Sequence, residues 1–243
     1  VIEDCAQAHG AAIDGKKVGS WGHMAAFSFC QDKIMTTGGE GGMVTTNDEV
    51  IWKKAWAFKD HGKSYDTVYN KDHPPGFRWL HESFGTNWRM TEMQSAIGRI
   101  QLKKLDTWLE SRNTFANMYR NFFSQFSFLN VPLPQDRIKH AYYKFYIFIK
   151  PDWLRLINRD RLIENVNSAG VRCFSGSCSE IYKEKCFLSI PEAIPGADLQ
   201  NAKILAETSI MFEVHPTLSE DNIFSSIQKM LSIFNNLSLL ELA

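Results

Sequence analysis

A chain of 243 residues can bury a sizeable core in one large domain or two modest ones. Its 27 basic and 27 acidic residues cancel, which argues against nucleic acid, an anionic membrane surface or an acidic polymer as partner. Its 44% hydrophobic content contains no bilayer-length run, and its five cysteines lack paired metal spacing, so a cytoplasmic protein without membrane or metal is expected.

Val1-Ile2-Glu3-Asp4 reads as the end of a buried strand and lacks the basic leader and apolar core of a signal peptide. Ala25 to Phe29 is a short apolar, β-prone run that stops at the polar turn holding Lys33. The glycine-rich bend Gly38-Gly39-Glu40-Gly41-Gly42 leads to a second such run, Met43 to Thr46. Asn47-Asp48-Glu49 caps a helix continued by Val50, Ile51, Lys54, Ala55 and Phe58. Residues 61 to 90 are rich in His, Pro, Gly and Tyr and show no period, which marks a long candidate functional loop. Thr91-Glu92-Met93-Gln94 opens a helix carried by Met93, Ala96, Ile97, Ile100, Leu105 and Leu109 and extended through Phe123. Val131-Pro132-Leu133-Pro134 breaks it. The remainder predicts an α+β pattern: a strand over Tyr142 to Ile149, a helix from Arg159 to Ser168 ended by Gly170, and a strand from Val171 to Phe174. A helix from Leu199 to Thr208, a strand from Ile210 to Val214 and a final amphipathic helix from Leu218 to Phe234 complete it. The domains expected are residues 1–128 and 129–243.

Lys33 carries the sharpest chemical signal. An arbitrary lysine is most often a solvated surface charge. This one follows an apolar strand and precedes glycines that admit close approach of a ligand to the backbone. Strand ends are where open α/β sheets collect ligands, and lysine forms Schiff bases with carbonyl compounds and pyridoxal phosphate. Asp4, also at a strand end, is either a turn-forming residue or the carboxylate that such a cofactor needs against its ring nitrogen. Ser28 is a common residue type in β runs and also a possible phosphate donor. Asn87 and Arg89 precede the long helix, in a loop that Thr91 and Gln94 close as a capping box, and suit phosphate or carboxylate contacts.

The ordered set Glu3-Asp4-Cys5-Ala6-Gln7-Ala8-His9-Gly10, Phe27-Ser28-Phe29 with Lys33, Gly38 to Gly42, and Asn87-Trp88-Arg89-Met90-Thr91 with Gln94 and Gly98 resembles the DegT/DnrJ/EryC1/StrS family of pyridoxal-phosphate-dependent sugar aminotransferases. That resemblance implies an α/β type I aminotransferase fold. Residues 1–128 would be the C-terminal part of the large cofactor-binding domain with long connecting helices, and 129–243 a small C-terminal α+β domain. It implies pyridoxal 5′-phosphate as cofactor, with pyridoxamine 5′-phosphate as the intermediate form. Lys33 would be the Schiff-base lysine and proton shuttle, Asp4 the partner of the ring nitrogen, Gln7 a ring contact and Ser28 a phosphate ligand. Asn87 would reach the phosphate from a partner subunit in a homodimer with a shared active site, and Arg89 and His140 would contact substrate. A lysine at position 33 excludes the family's dehydratase branch, which carries histidine there. The implied reaction moves an amino group from glutamate to a nucleotide-linked keto-sugar, for amino-sugar and surface-polysaccharide synthesis.

Family members carry a long segment before the Asp4 strand, with a glycine-rich turn and a helix N-terminus for the phosphate. This chain is therefore expected to be the C-terminal portion of a complete enzyme. Two other readings follow. One is a non-catalytic remnant that keeps Lys33 without the phosphate cup. The other is an interaction module that docks through the aromatic-rich loop from Tyr65 to Trp88. The segment from Gly176 to Tyr182 replaces a histidine-containing substrate segment of many members, so the sugar stays open.

Overall fold

The structure is a computed structural model that describes residues 1–76, 78–196 and 198–241. Its elements begin with strands β1 (Ile2–Asp4), β2 (Ala12–Ile13), β3 (Lys16–Lys17), β4 (Met24–Ser28) and β5 (Gly42–Thr45), then helices α1 (Glu49–Lys59), α2 (Tyr65–Tyr69) and α3 (Glu92–Phe123). They continue with β6 (Leu129–Asn130), β7 (Ile138–Lys139), β8 (Phe145–Ile149), α4 (Arg159–Ser168), β9 (Cys173–Phe174), α5 (Gln200–Thr208), β10 (Ser209–Phe212) and α6 (Glu220–Ser238).

The chain divides into two units at places other than the expected 128/129 boundary. The first holds Val1–Leu109 and Pro134–Tyr143; the second holds Glu110–Leu133 and Lys144–Ala243. The division falls inside α3, and a ten-residue stretch after β6 returns to the first unit.

The first unit contains the sheet β1-β4-β5, with β1 parallel to β4 and β5 antiparallel to it. β1 lies at one edge of this sheet, and Val1 and Ile2 are largely exposed, against the expectation of a buried strand. A second small sheet, β3-β2-β7, brings the returning stretch onto residues 12–17, and Asp14 N–H donates to the Arg137 carbonyl at 2.8 Å. Ile34, Leu109 and Ala141 form a buried cluster, with Ala11, Leu105 and Tyr143 packed against it.

Asp48 caps α1 as expected, accepting from the Val50 and Ile51 amides. The aperiodic segment 61–90 is not wholly irregular. It contains α2, capped by Ser64, and pairs through the bridges Asp60↔Asn87 and Lys63↔His81. Within the proposed docking loop Tyr65 to Trp88, Phe77 lies outside the described residues. Thr91 and Gln94 close a capping box at the start of α3: Gln94 N–H donates to Thr91 Oγ1 at 3.3 Å, and Thr91 N–H to Gln94 Oε1 at 3.0 Å.

In the second unit the antiparallel sheet β6-β8-β10-β9 buries alternate residues of β8, namely Phe145, Ile147 and Ile149. Tyr119, Phe122, Phe123 and Phe126 recur at helical spacing and meet Phe145, Phe212 and Phe234 in a ring cluster. β8 starts three residues later than predicted because Tyr142 has φ +42°, which no extended strand admits. α3 ends at Phe123, well before the Val131-Pro132 breaker.

Candidate active site

Asp4 closes β1, and the register Asp4↔Ala26 sets it opposite the middle of its parallel neighbour β4, two residues before the end of that strand. Ser28 closes β4, and Lys33 follows in the turn after it. The two strand ends therefore open on the same side of the sheet, because parallel strands share direction. Asp4 is exposed, and its Oδ1 accepts the Ala6 amide at 3.0 Å, an Asx-type turn that fixes the carboxylate. Ser28 Oγ accepts the Cys30 amide at 3.3 Å, which leaves its hydroxyl proton to donate elsewhere. Gln7 sits exposed in the turn after β1. His9 of the same motif is instead buried, against the rings of Phe27 and Phe29.

The Lys33 turn is anchored from several directions. Lys33 N–H donates to the Cys30 carbonyl at 3.1 Å, and Thr37 N–H to the Phe29 carbonyl at 3.2 Å. From α3, Gln94 Nε2 donates to the Glu40 carbonyl at 2.7 Å, and Gln101 Oε1 accepts the Thr36 amide at 2.8 Å. Two glycines of the bend need their identity: Gly39 has φ +147°, and a Cβ on Gly41 would lie 2.3 Å from Thr37 Oγ1.

Residues that sequence reasoning passed over complete this surround. The Tyr143 hydroxyl donates to Asp32 Oδ2, and the Lys33 ammonium lies 5.1 Å from the Tyr143 ring centroid. The Tyr143 hydrogen bond holds the Asp32 carboxyl below the usual carboxylate value, against the opposing effect of burial. Cys30 Sγ donates to Glu40 Oε1 at 3.3 Å, which pushes its thiol up. Nothing in local spacing ties Tyr143 to a lysine 110 positions earlier; only the return of residues 134–143 does so.

Asn87 and Arg89 form a second group. Arg89 Nε donates to Asn87 Oδ1 at 3.0 Å, which engages the amide oxygen and leaves the Asn87 NH₂ to donate elsewhere. Arg89 Nη1 lies 3.7 Å from Asp60 Oδ1, and Lys63 Nζ donates to that same oxygen at 3.2 Å. Burial alone would raise the Asp60 carboxyl, but Lys63, Arg89 and Lys59 hold it below its ordinary value. His140 is exposed, and its Nδ1 accepts the Tyr142 amide at 3.0 Å. No metal-binding cluster occurs among the described residues, and none of their helices is long and apolar enough to cross a membrane.

The sequence profile of the DegT/DnrJ/EryC1/StrS aminotransferase family matches residues 1–230. The chain belongs to this family. An aminotransferase from Psychrobacter cryohalolentis is 54% identical and superposes with a TM-score of 0.92, over 98% of this chain and 62% of that one. The uncharacterized protein MJ1066 of Methanocaldococcus jannaschii is 32% identical over 238 residues, 96% of this chain and 59% of its own length. GDP-perosamine synthase of Escherichia coli O157:H7 is 34% identical over 168 residues, 68% of this chain and 43% of that enzyme. The chain thus spans about three fifths or less of the length of these relatives. Its fold is the α/β fold of the family's pyridoxal-phosphate-dependent sugar aminotransferases.

The donor set of this DegT/DnrJ/EryC1/StrS chain suits pyridoxal phosphate at the ring end of the molecule. It offers a carboxylate for a cationic ring nitrogen, a primary amine for an aldehyde and a hydroxyl for a phosphate. A Cβ placed on Gly39 would meet nothing within 4 Å, so space stands open over the bend that follows Lys33.

Proposed function

We propose that this chain is the lysine-bearing part of a pyridoxal-phosphate-dependent sugar aminotransferase. Its reaction takes an amino group from glutamate and adds it to a keto group on a nucleotide-linked sugar, for amino-sugar and surface-polysaccharide synthesis in the cytoplasm. The observation that carries this reading is that Asp4 and Ser28 stand at the carboxyl ends of adjacent parallel strands, with Lys33 in the turn that follows. The similarity to GDP-perosamine synthase supports a nucleotide-linked substrate.

Bound pyridoxal phosphate supplies an aldehyde that captures amines and a ring that accepts electrons. Asp4 would hold the positive charge at the ring nitrogen, Gln7 would lie against the ring, and Ser28 would donate to the phosphate. Lys33 Nζ is the amine that would meet the aldehyde, and it would take and return the proton at the amino-bearing carbon. Asn87, whose amide oxygen is held by Arg89 so that its NH₂ is left to donate, would reach the phosphate of a second subunit in a homodimer; the exposed Phe84 and Trp88 beside it suit a subunit contact. Arg89 and His140 serve the substrate.

The test is to incubate the protein with pyridoxal phosphate, reduce with borohydride and map the adduct by peptide mass spectrometry. Cofactor fixed on Lys33, and its loss in Lys33→Ala, is expected. In the complete enzyme Lys33→Ala abolishes turnover, and Asp4→Asn reduces it by orders of magnitude because the ring loses its charged partner. Wild-type turnover in Lys33→Ala would refute the reading.

A further inference from the structure

We propose that Tyr143 and Asp32 form a positioning pair for the Lys33 amine: Tyr143 offers its ring face to the ammonium, and Asp32 fixes that ring by its hydroxyl. The proposal rests on the reading of Lys33 as the reactive amine. Three observations carry it. The Tyr143 hydroxyl donates to Asp32, the residue just before Lys33. The Lys33 ammonium stands 5.1 Å from the centroid of the same ring, within the reach of a cation–π contact. The ring is half-buried and packs against the cluster of Ile34, Leu109 and Ala141, so it is held from the core side as well as by its hydroxyl.

A lysine that alternates between a bonded and a released state needs a defined place when released. Its four-carbon stem otherwise samples many rotamers, and its ammonium is strongly hydrated. A ring fixed at both ends gives the released amine a resting position beside the strand ends that carry Asp4 and Ser28. Asp32 also sits close enough to Lys33 for their opposite charges to favour one another. Tyr143 belongs to the ten-residue stretch that returns to the first unit, so the pair is built by the fold rather than by local sequence.

The measurement is the rate of Lys33 modification by trinitrobenzenesulfonate in the cofactor-free chain, divided by that of the exposed Lys103 and Lys104 in the same digest. Tyr143→Leu, which removes ring and hydroxyl, raises this ratio by roughly two- to fivefold, the equivalent of a cation–π contact at an exposed site. Tyr143→Phe and Asp32→Asn, which keep the ring but loosen its anchor, raise it by less. An unchanged ratio in Tyr143→Leu overturns the proposal. Should that variant fail to fold, an unchanged ratio in both Tyr143→Phe and Asp32→Asn overturns it. Absence of borohydride-fixed cofactor on wild-type Lys33 would refute the catalytic reading alone, since the ratio is read without cofactor.

Discussion

Replacing Gly62 by alanine tests whether the segment bearing Asn87 and Arg89 is held by backbone packing. Gly62 has φ +81°, and a Cβ there would lie 1.7 Å from the Ser83 carbonyl oxygen. To reach even 3.0 Å the two must part by about 1.3 Å. The left-handed conformation costs a side chain about 1–2 kcal/mol. Moving the strips apart also breaks bonds: Gly62 N–H donates to the Ala57 carbonyl at 2.8 Å, and its own carbonyl accepts Glu82 and Ser83 N–H at 3.0 and 3.2 Å. Losing two of them adds about 1–3 kcal/mol, for a local total of about 2–5 kcal/mol. Gly62→Ala should therefore lower hydrogen-exchange protection at the Glu82, Ser83 and Thr86 amides by roughly thirtyfold to a few thousandfold. Gly196→Ala, whose new Cβ meets nothing within 4 Å, should leave them unchanged. Protection in Gly62→Ala within about threefold of the wild type would refute the argument.

Two further outcomes are expected. Glu3 accepts the backbone N–H groups of Gly22, Gly19 and Trp21 at 2.6, 2.7 and 2.7 Å, and the Gly22 bond foremost holds its carboxyl below 4.5 while burial opposes. A lowered native value means that this stabilisation is complete above pH 4.5 and disappears as pH falls through the native value. Thermal midpoints of wild type and Glu3→Gln should therefore converge on acidification, and a gap independent of pH would exclude the role. Phe123→Ala empties the middle of the ring cluster, where Phe123 is fully buried, and should cost about 3–5 kcal/mol in urea unfolding. A loss below about 1.5 kcal/mol would show that the cluster collapses around the gap.

Features written in contiguous residues are legible in the sequence itself. Asp48 and Thr91 with Gln94 declare helix starts because capping needs polar side chains at fixed offsets. Arg159–Ser168 is legible to the residue, from its period and from Gly170, whose φ is +79°. The order of Asp4, Ser28 and Lys33 conveys strand ends, and the parallel pairing of β1 with β4 turns the ends that carry the first two to the same edge of the sheet. What stays illegible depends on distant pairing. The unit boundary inside α3 leaves no mark in composition, since a continuous helix needs no glycine or proline where its surroundings change. Tyr143 reads as part of a β run because aromatic residues favour strands, and its bond to Asp32 spans 111 positions.

The return of residues 134–143 imposes an order on assembly during synthesis. The chain emerges at about 5–20 residues per second, amino end first. By the time Lys33 and its glycine bend are outside the ribosome, the strand that completes the β3-β2-β7 sheet has not yet been made. Neither has the tyrosine that meets Asp32. Residues 110–133, which belong to the second unit, are translated first. A nascent chain stalled before Pro134 would therefore present the lysine on an unfinished scaffold, and the Lys33 turn gains its Tyr143 contact only after residues 110–133 of the other unit have been made.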